Sequence, residues 1–331
     1  MISAYAVTDG KLRPLDALLA EKERAVWIDL LRPTREEEQA VEAAFGVEAP
    51  TREEMQEIEI SSRLYVEDDT AYMTAFILSH TDDDDVIIAP ITFVLAERKL
   101  LTIRYDDPRV FTTFATRSQK AATGCNSAET VLAGLLETIV SRVADILERV
   151  ALDVDALSHE VFAPASSPAA QSRDFQRVIV ELGRKGDLAS KIRDSLVSLE
   201  RLFGFAMLQL DQRADPRFND KKSDRETRAR LRTLFRDAHS LTEHVSYVSQ
   251  KITFLLDATL GMINIEQNAI IKTFSVVAVA FLPPTLIASI YGMNFKFIPE
   301  LGWPFGYAFA IVLMILSAIL PLFYFKKKGW L

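Results

Sequence analysis

Tyr291-Gly292-Met293-Asn294-Phe295 separates the two stretches of this 331-residue chain that are able to cross a membrane. Residues 273–290 (TFSVVAVAFLPPTLIASI) and 305–325 (FGYAFAIVLMILSAILPLFYF) contain no charged side chain. At ~1.5 Å per residue they reach ~27 Å and ~31 Å as helices, close to the ~30 Å bilayer core. A short polar loop joins them, so the pair reads as a membrane hairpin with Gly-Met-Asn as its first turn.

Flanking charge orients the hairpin. Lys272 precedes the first span, and Lys326, Lys327 and Lys328 follow the second. The loop carries Lys296, offset by Glu300. The positive-inside rule then puts both termini in the cytoplasm and the loop outside. Trp303, Tyr307, Tyr324 and Trp330 stand at span ends, where interfacial aromatics belong. The first ten residues lack a basic region followed by an apolar run, so the first span is expected to act as the insertion signal.

The charge is unevenly distributed. The whole chain is at −8, yet residues 272–331 hold five Lys and one Glu, which leaves the preceding 271 residues at −12. Such a part does not look like a nucleic-acid binder, which would show clustered positive charge. Cys125 is the only cysteine, which rules out an internal disulfide and a Cys-based zinc site and fits a reducing cytosol.

Residues 1–120 read as an α/β domain. Residues 25–30 and 71–79 are apolar enough for strands, and 91–95 with 100–104 form a hairpin around Ala96-Glu97-Arg98-Lys99. Thr34-Arg35-Glu36-Glu37 and Thr51-Arg52-Glu53-Glu54 have capping-box spacing and start helices. The acid run 82–85 is a solvated turn. From Ala128 the apolar period becomes helical through Val131, Leu135, Ile139, Val143, Ile146 and Val150, running towards Phe162. A break at 163–168 leads to a second helix from about Ser172 to Gln212, weakened at Gly183, Gly186 and Gly204. After a turn at 215–217, a third helix starts near Ser223 and meets no proline before Pro283, giving one stalk into the first span, on the order of 100 Å long. The fold class is therefore an α+β cytoplasmic domain followed by long stalk helices and two C-terminal transmembrane helices. The expected divisions are 1–120, 121–272 (helical domain and stalk), 273–290 (first span), 291–304 (external loop), 305–325 (second span) and 326–331 (basic tail).

On the first span, Asn268, Ile271, Phe274, Ala278, Leu282, Thr285 and Ser289 recur at steps of three or four and share one helix face. Such a stripe serves either a pore or helix–helix packing, where Ser and Thr are also common. Pro283 and Pro284 remove two backbone donors and oppose a straight helix, so the carbonyls of Val279 and Ala280 need protein or water beside them.

The order of short motifs resembles the CorA family of divalent-cation channels, in its proteobacterial magnesium and cobalt group. The residues that carry this are Asn264-Ile265-Glu266-Gln267-Asn268, Phe281-Leu282-Pro283-Pro284-Thr285, Tyr291-Gly292-Met293-Asn294-Phe295, Pro299-Glu300-Leu301, Trp303, Gly306-Tyr307 and the ending YFKKKGWL. Trp27-Ile28-Asp29-Leu30 continues the match upstream. The resemblance implies a funnel-shaped homo-oligomer of five subunits in the inner membrane. It also implies a pore along Asn268, Ile271, Phe274, Ala278, Leu282, Thr285 and Asn294, with Ile271, Phe274 and Leu282 as a hydrophobic gate.

In that reading Gly292, Met293 and Asn294 are the selectivity filter. Mg²⁺ dehydrates reluctantly, and a ring of neutral Asn294 amide oxygens accepts hydrogen bonds from its water shell without trapping it. Gly292 gives the tight turn, and the soft Met293 sulfur packs behind the ring rather than binding a hard ion. Co²⁺ and Ni²⁺ are further expected cargo. The family's inter-subunit regulatory metal site aligns with Asp257 on the stalk and Glu57 in the α/β domain.

Enzyme readings find no support in the residues: His80, His159, His239 and His244 are scattered, and no Walker loop or nucleotide-binding Gly pattern occurs. Two other readings stay open. One is a zinc transporter of the same architecture, since Ile298-Pro299-Glu300-Leu301 departs from the usual Met-Pro-Glu-Leu. The other is a membrane-anchored scaffold without a pore.

Overall fold

A computed structural model describes residues 1–15, 21–57, 59–81, 86–120, 124–163, 174–212, 221–294 and 302–328. The expected turns at 82–85, 164–168 and 215–217, together with Phe295, loop residues 296–301 and Trp330, lie outside the described residues. The chain forms two compact units, Met1–Leu255 and Leu256–Leu331.

The first unit opens with β1 (Ile2–Thr8), β2 (Lys11–Pro14) and β3 (Ala25–Leu31). Three short helices follow, α1 (Arg35–Phe45), α2 (Arg52–Met55) and α3 (Ile60–Arg63). Then come β4 (Leu64–Glu67), β5 (Thr70–Ser79), β6 (Ile87–Ala96) and β7 (Lys99–Arg104). The strands make one sheet in the order β2-β1-β3-β7-β6-β5-β4, antiparallel throughout except for the parallel pair β3 and β7. The hairpin expected around residues 96–99 is present: Ala96 faces Lys99, and Glu97 takes the turn at φ 45°.

Both capping boxes form. The Thr34 hydroxyl accepts from Glu37 N–H while the Glu37 carboxylate accepts from Thr34 N–H, and Gly46 closes α1 in the left-handed region at φ 66°. Thr51 and Glu54 repeat the device, but α2 is a single turn whose product is one buried side chain, Met55.

The two sheet faces differ. One buries Ile28, Leu30, Tyr72, Val94, Leu101 and Ile103 with Val41 of α1 and Met55 of α2. The other carries Trp27 and Asp29 on β3 beside Thr102 and Arg104 on β7. Here α4 (Arg109–Lys120) packs in, with the Trp27 ring edge-on to Phe114 at 5.6 Å and the Arg104 guanidinium over Phe111 at 4.4 Å. Asp29 holds Arg104 through two oxygens at 3.0 and 2.8 Å and also accepts from the Thr102 hydroxyl at 2.7 Å. Burial pushes the Arg104 pKa down, but the Asp29 and Asp107 carboxylates more than offset this and hold it above its ordinary value. The Trp27-Ile28-Asp29-Leu30 motif thus alternates between the two faces, apolar into one and ion-pairing in the other.

The free edge of β5 is closed by a helix. β4 covers β5 only as far as Met73, and beyond it the Phe76 N–H donates to the Ser198 hydroxyl at 2.9 Å. Phe76 faces Pro90 across the β5–β6 ladder, a position where Pro costs no bond because Phe76 directs its polar groups the other way.

Ser198 belongs to α6 (Phe175–Gln212), which runs on without interruption through Gly183, Gly186 and Gly204. α5 (Ala128–Val161) starts on a Ser127–Thr130 capping box. Gly134 of α5 sits against Phe114, so close that a Cβ there would be 2.9 Å from the ring. α7 (Lys221–Tyr291) begins in the first unit and continues into the second, where it is joined by α8 (Gly306–Lys327). In the first unit α7 is tied to α5 by ion pairs Arg230–Glu137 and Lys251–Asp155. The chain therefore has the α+β domain, the long helices and the C-terminal apolar helix that its sequence called for.

Candidate functional site

The site is built on the C-terminal part of α7, from Asn268 to Tyr291, about seven turns. Pro283 and Pro284 both lie inside this helix, and neither ends it. Helices in an apolar medium must satisfy every polar group internally, and three hydroxyls here do so. Thr273 donates to the Ala269 carbonyl at 3.0 Å, Ser275 to Ile271 at 2.8 Å and Thr285 to Phe281 at 2.7 Å. A hydroxyl whose proton is committed to its own helix presents only lone pairs outward.

Each helix of this unit has one covered stripe. On α7 it is Val276, 5% exposed, with Ala280, Pro283, Ile287 and Tyr291 half-buried at steps of three or four. On α8 the small residues Gly306 and Ala310 are buried, continued by half-buried Met314, Ser317, Pro321 and Phe325. Asn268, Ile271, Phe274, Ala278, Leu282, Thr285 and Ser289 fall on the opposite side of α7 from its covered stripe, and all seven are exposed. Phe274 is 71% and Leu282 66% exposed. The two prolines are half-buried, on the covered side, away from the exposed stripe.

The helix ends at the expected motif. Gly292 N–H donates to the Ala288 carbonyl at 2.9 Å and Met293 N–H to Ile290 at 3.3 Å, which completes the last turn. Gly292 stands in the turn that follows the helix. Gly292 is not in the left-handed region; a Cβ would instead sit 3.0 Å from the Ala288 oxygen. Met293 and Asn294 are both exposed immediately beyond. Sequence reading missed the Gly292–Ala288 approach and the covered stripe. The stripe has a signal in the sequence, the 4-3-4-4 spacing of Val276, Ala280, Pro283, Ile287 and Tyr291.

Asp257 and Glu57 are exposed carboxylates, in the second and first unit respectively. Among the described residues no group of three or more His, Cys, Asp or Glu is gathered within one chain to hold a metal ion. Both α7 and α8 are long and apolar enough to cross a membrane.

Compared with known families, residues 22–327 match the model of the CorA-like Mg²⁺ transporter protein. The chain belongs to the CorA family. Its CorA relatives include the magnesium transport protein CorA of Haemophilus influenzae, 36% identical over 332 residues and covering 100% of both chains. The protein of the same name from Escherichia coli is 34% identical over 339 residues, again with 100% of each chain covered. Among solved structures, the complete CorA magnesium transporter from Methanocaldococcus jannaschii superposes with a TM-score of 0.75 at 20% identity, covering 100% of this chain and 99% of that one. At that identity the CorA structure speaks for the fold.

Proposed function

We propose that the chain is one subunit of a CorA-type channel that admits Mg²⁺, with Co²⁺ and Ni²⁺ as further cargo, across the inner membrane. The observation that carries this reading is the exposed stripe from Asn268 to Ser289, which leads along α7 to the exposed Asn294 and lies opposite the stripe that the chain itself covers. Membership of the family and full-length likeness to magnesium transport proteins support it. One hairpin cannot enclose a conduit, so copies of the chain surround an axis as a cyclic homo-oligomer, a pentamer by family resemblance. Residues 1–272 and the tail from 326 lie in the cytoplasm, 273–290 and 305–325 in the bilayer, and 291–304 outside.

The mechanism follows from the oxygens. Asn294 amide oxygens accept hydrogen bonds from the water shell of the arriving ion. The Thr285 hydroxyl oxygen, its proton committed to Phe281, does the same further in. Ile271, Phe274 and Leu282 offer no oxygen and form the apolar barrier that closes by dewetting. The potential, about 2.3 kcal/mol per charge per 100 mV, drives entry without nucleotide hydrolysis, so the protein is a conduit rather than an enzyme. Cytosolic Mg²⁺ bridging Asp257 to Glu57 of a neighbouring subunit closes it.

The test is uptake into proteoliposomes with Mg²⁺, Co²⁺, Ni²⁺ and Zn²⁺ offered separately, for the native chain and Asn294→Ala. Expected is Mg²⁺ uptake that falls about tenfold or more in Asn294→Ala, as for loss of one ~1.4 kcal/mol interaction per conducted ion, with assembly unchanged. Preference for Zn²⁺ would replace this reading with zinc transport, and native-level flux in a properly inserted Asn294→Ala would remove the filter assignment.

A further inference from the structure

A cavity in the first unit has no part in the ion path. It lies between α5 and α6 beside Thr81 and Val86 and holds about 690 Å³, within the usual range for a small-molecule site. The buried side chains of Ile146 and Val150 give it an apolar floor, with half-buried Leu188 beside them. Every acid in its wall is engaged by a cation of the same wall. Asp153 holds Lys185 at 2.5 Å, Asp187 holds Lys191 at 2.7 Å and Glu181 holds Arg184 at 3.5 Å. One cation is left over. Arg149 lines the cavity, is exposed, and among the described residues is paired with no carboxylate. Asp145 and Asp153 stand one turn to either side of it on α5, the spacing of an ordinary helix ion pair, and Arg149 uses neither.

The hydroxyl in the wall has the same polarity. Thr81 Oγ1 accepts from Arg142 twice, from Nε at 3.3 Å and from Nη2 at 2.8 Å. Its lone pairs are then filled, so what it has left to offer is its proton. Among the described residues no acceptor takes that proton. A guanidinium fork and a hydroxyl donor thus line one cavity with nothing to receive them. Lys185 and Lys191 each have three donors, so each can add a bond without leaving its carboxylate. Gly183 leaves the α6 wall bare: nothing lies within 4 Å of the place a Cβ would take. Packing therefore gives no reason for a residue that weakens a helix interior by about 1 kcal/mol. Water meets either donor singly but gains nothing from the apolar floor. A phosphate ester meets both donors through one group, balances the leftover charge and covers the floor with its organic part.

We propose that this cavity binds an organic phosphate of nucleotide size, its phosphates on Arg149 and Thr81 and its apolar body against Ile146, Val150 and Leu188. The site stands apart from ion conduction, since every residue it uses belongs to Met1–Leu255.

The test uses the full-length protein in detergent, without Mg²⁺, and the fluorescent nucleotide mant-ADP. The native chain is expected to bind it saturably. ADP should displace it, and inorganic phosphate and adenosine should each be weaker competitors by about tenfold or more, because each meets one half of the site. Arg149→Ala should weaken binding by about tenfold or more, the worth of a charged hydrogen bond, Arg149→Lys by less, and Thr81→Val by about fivefold. Gly183→Leu fills the bare wall and should abolish binding while the thermal midpoint holds or rises, which separates occlusion from unfolding. Absence of saturable binding by the native chain overturns the proposal, as does equal affinity in the native and Arg149→Ala chains. Displacement by inorganic phosphate as effective as by ADP assigns the wall to a free anion and also overturns it. Because the readout is binding without Mg²⁺, a protein that fails to conduct ions leaves this result unaffected, and a protein that fails to bind the nucleotide leaves the transport reading standing.

Discussion

Thr285 donates its hydroxyl proton to the Phe281 carbonyl at 2.7 Å, and this fixes which half of the hydroxyl faces away from the helix. The oxygen can accept but has no proton left to give, the polarity that suits the hydrogens of a cation's water shell. Thr285→Val keeps the β-branched shape and removes the oxygen; Thr285→Ser keeps the oxygen. Mg²⁺ uptake in proteoliposomes should fall about fivefold to tenfold in the Val variant, the worth of about one hydrogen bond, and stay near native in Ser. Equal uptake in Val and native chains would remove Thr285 from the ion path.

The exposed apolar side chains of the same stripe predict leak. Leu282→Gly and Phe274→Gly replace side chains that are 66% and 71% exposed with none. A wider ring holds water, and a wetted ring conducts. Flux measured with high Mg²⁺ on the cytoplasmic side should rise in both variants. If it is unchanged or lower in both, the barrier lies elsewhere.

Feedback by the cargo predicts a phenotype for Asp257. Its carboxylate is exposed on α7, and so is that of Glu57 in the first unit. One or two carboxylates with bound waters suffice for Mg²⁺. The proposed sensor predicts that Mg²⁺ protects the native chain from protease and inhibits flux from the cytosolic side, and that Asp257→Asn and Asp257→Lys weaken both effects. Identical Mg²⁺ dependence of native and variant chains in both assays would exclude Asp257 from the sensor.

Gly134→Ala should destabilise the first unit without touching the ion path. The new methyl would stand 2.9 Å from Cε2 of Phe114, a ring that is fully buried and edge-on to Trp27. Overpacking of this kind costs about 1–3 kcal/mol, which lowers the thermal midpoint by several degrees. Phe114→Leu in the same chain makes room, and the double variant should lose less than the two single changes added together. Strict additivity would mean that the ring moves aside freely.

Much of the architecture was legible in the sequence because it rests on local rules. Capping boxes at Thr34 and Thr51, the two-residue turn at Glu97 and Arg98, and the charge-free runs each depend on residues a few positions apart. Strand β1 and the edge strands β2 and β4 carry no such signal, since short runs such as Lys-Leu-Arg-Pro have no period of their own and are strands only because a neighbour pairs with them. The Asp29–Arg104 pair was hidden for a related reason: 75 residues separate the partners, and only the parallel pairing of β3 and β7 brings them together. At the candidate site the exposed stripe followed from helical spacing. The close approach of position 292 to the Ala288 carbonyl did not, because it involves one carbonyl four residues back rather than an unusual backbone angle.

The Ser198 hydroxyl on Phe76 matters most when identical chains gather. In the proposed ring, several copies of one seven-stranded sheet are held at high local concentration, and an open strand edge on each would be a template for its neighbours. A single hydroxyl from α6 occupies the Phe76 edge amide inside the chain, before any other copy can reach it. Ser198→Ala would leave the Phe76 amide without its partner beneath α6, so the guard on that edge would rest on the cover of the helix alone, and any damage would appear less in the isolated subunit than in the crowding of newly made subunits, as strand-to-strand adhesion that competes with orderly closure of the ring.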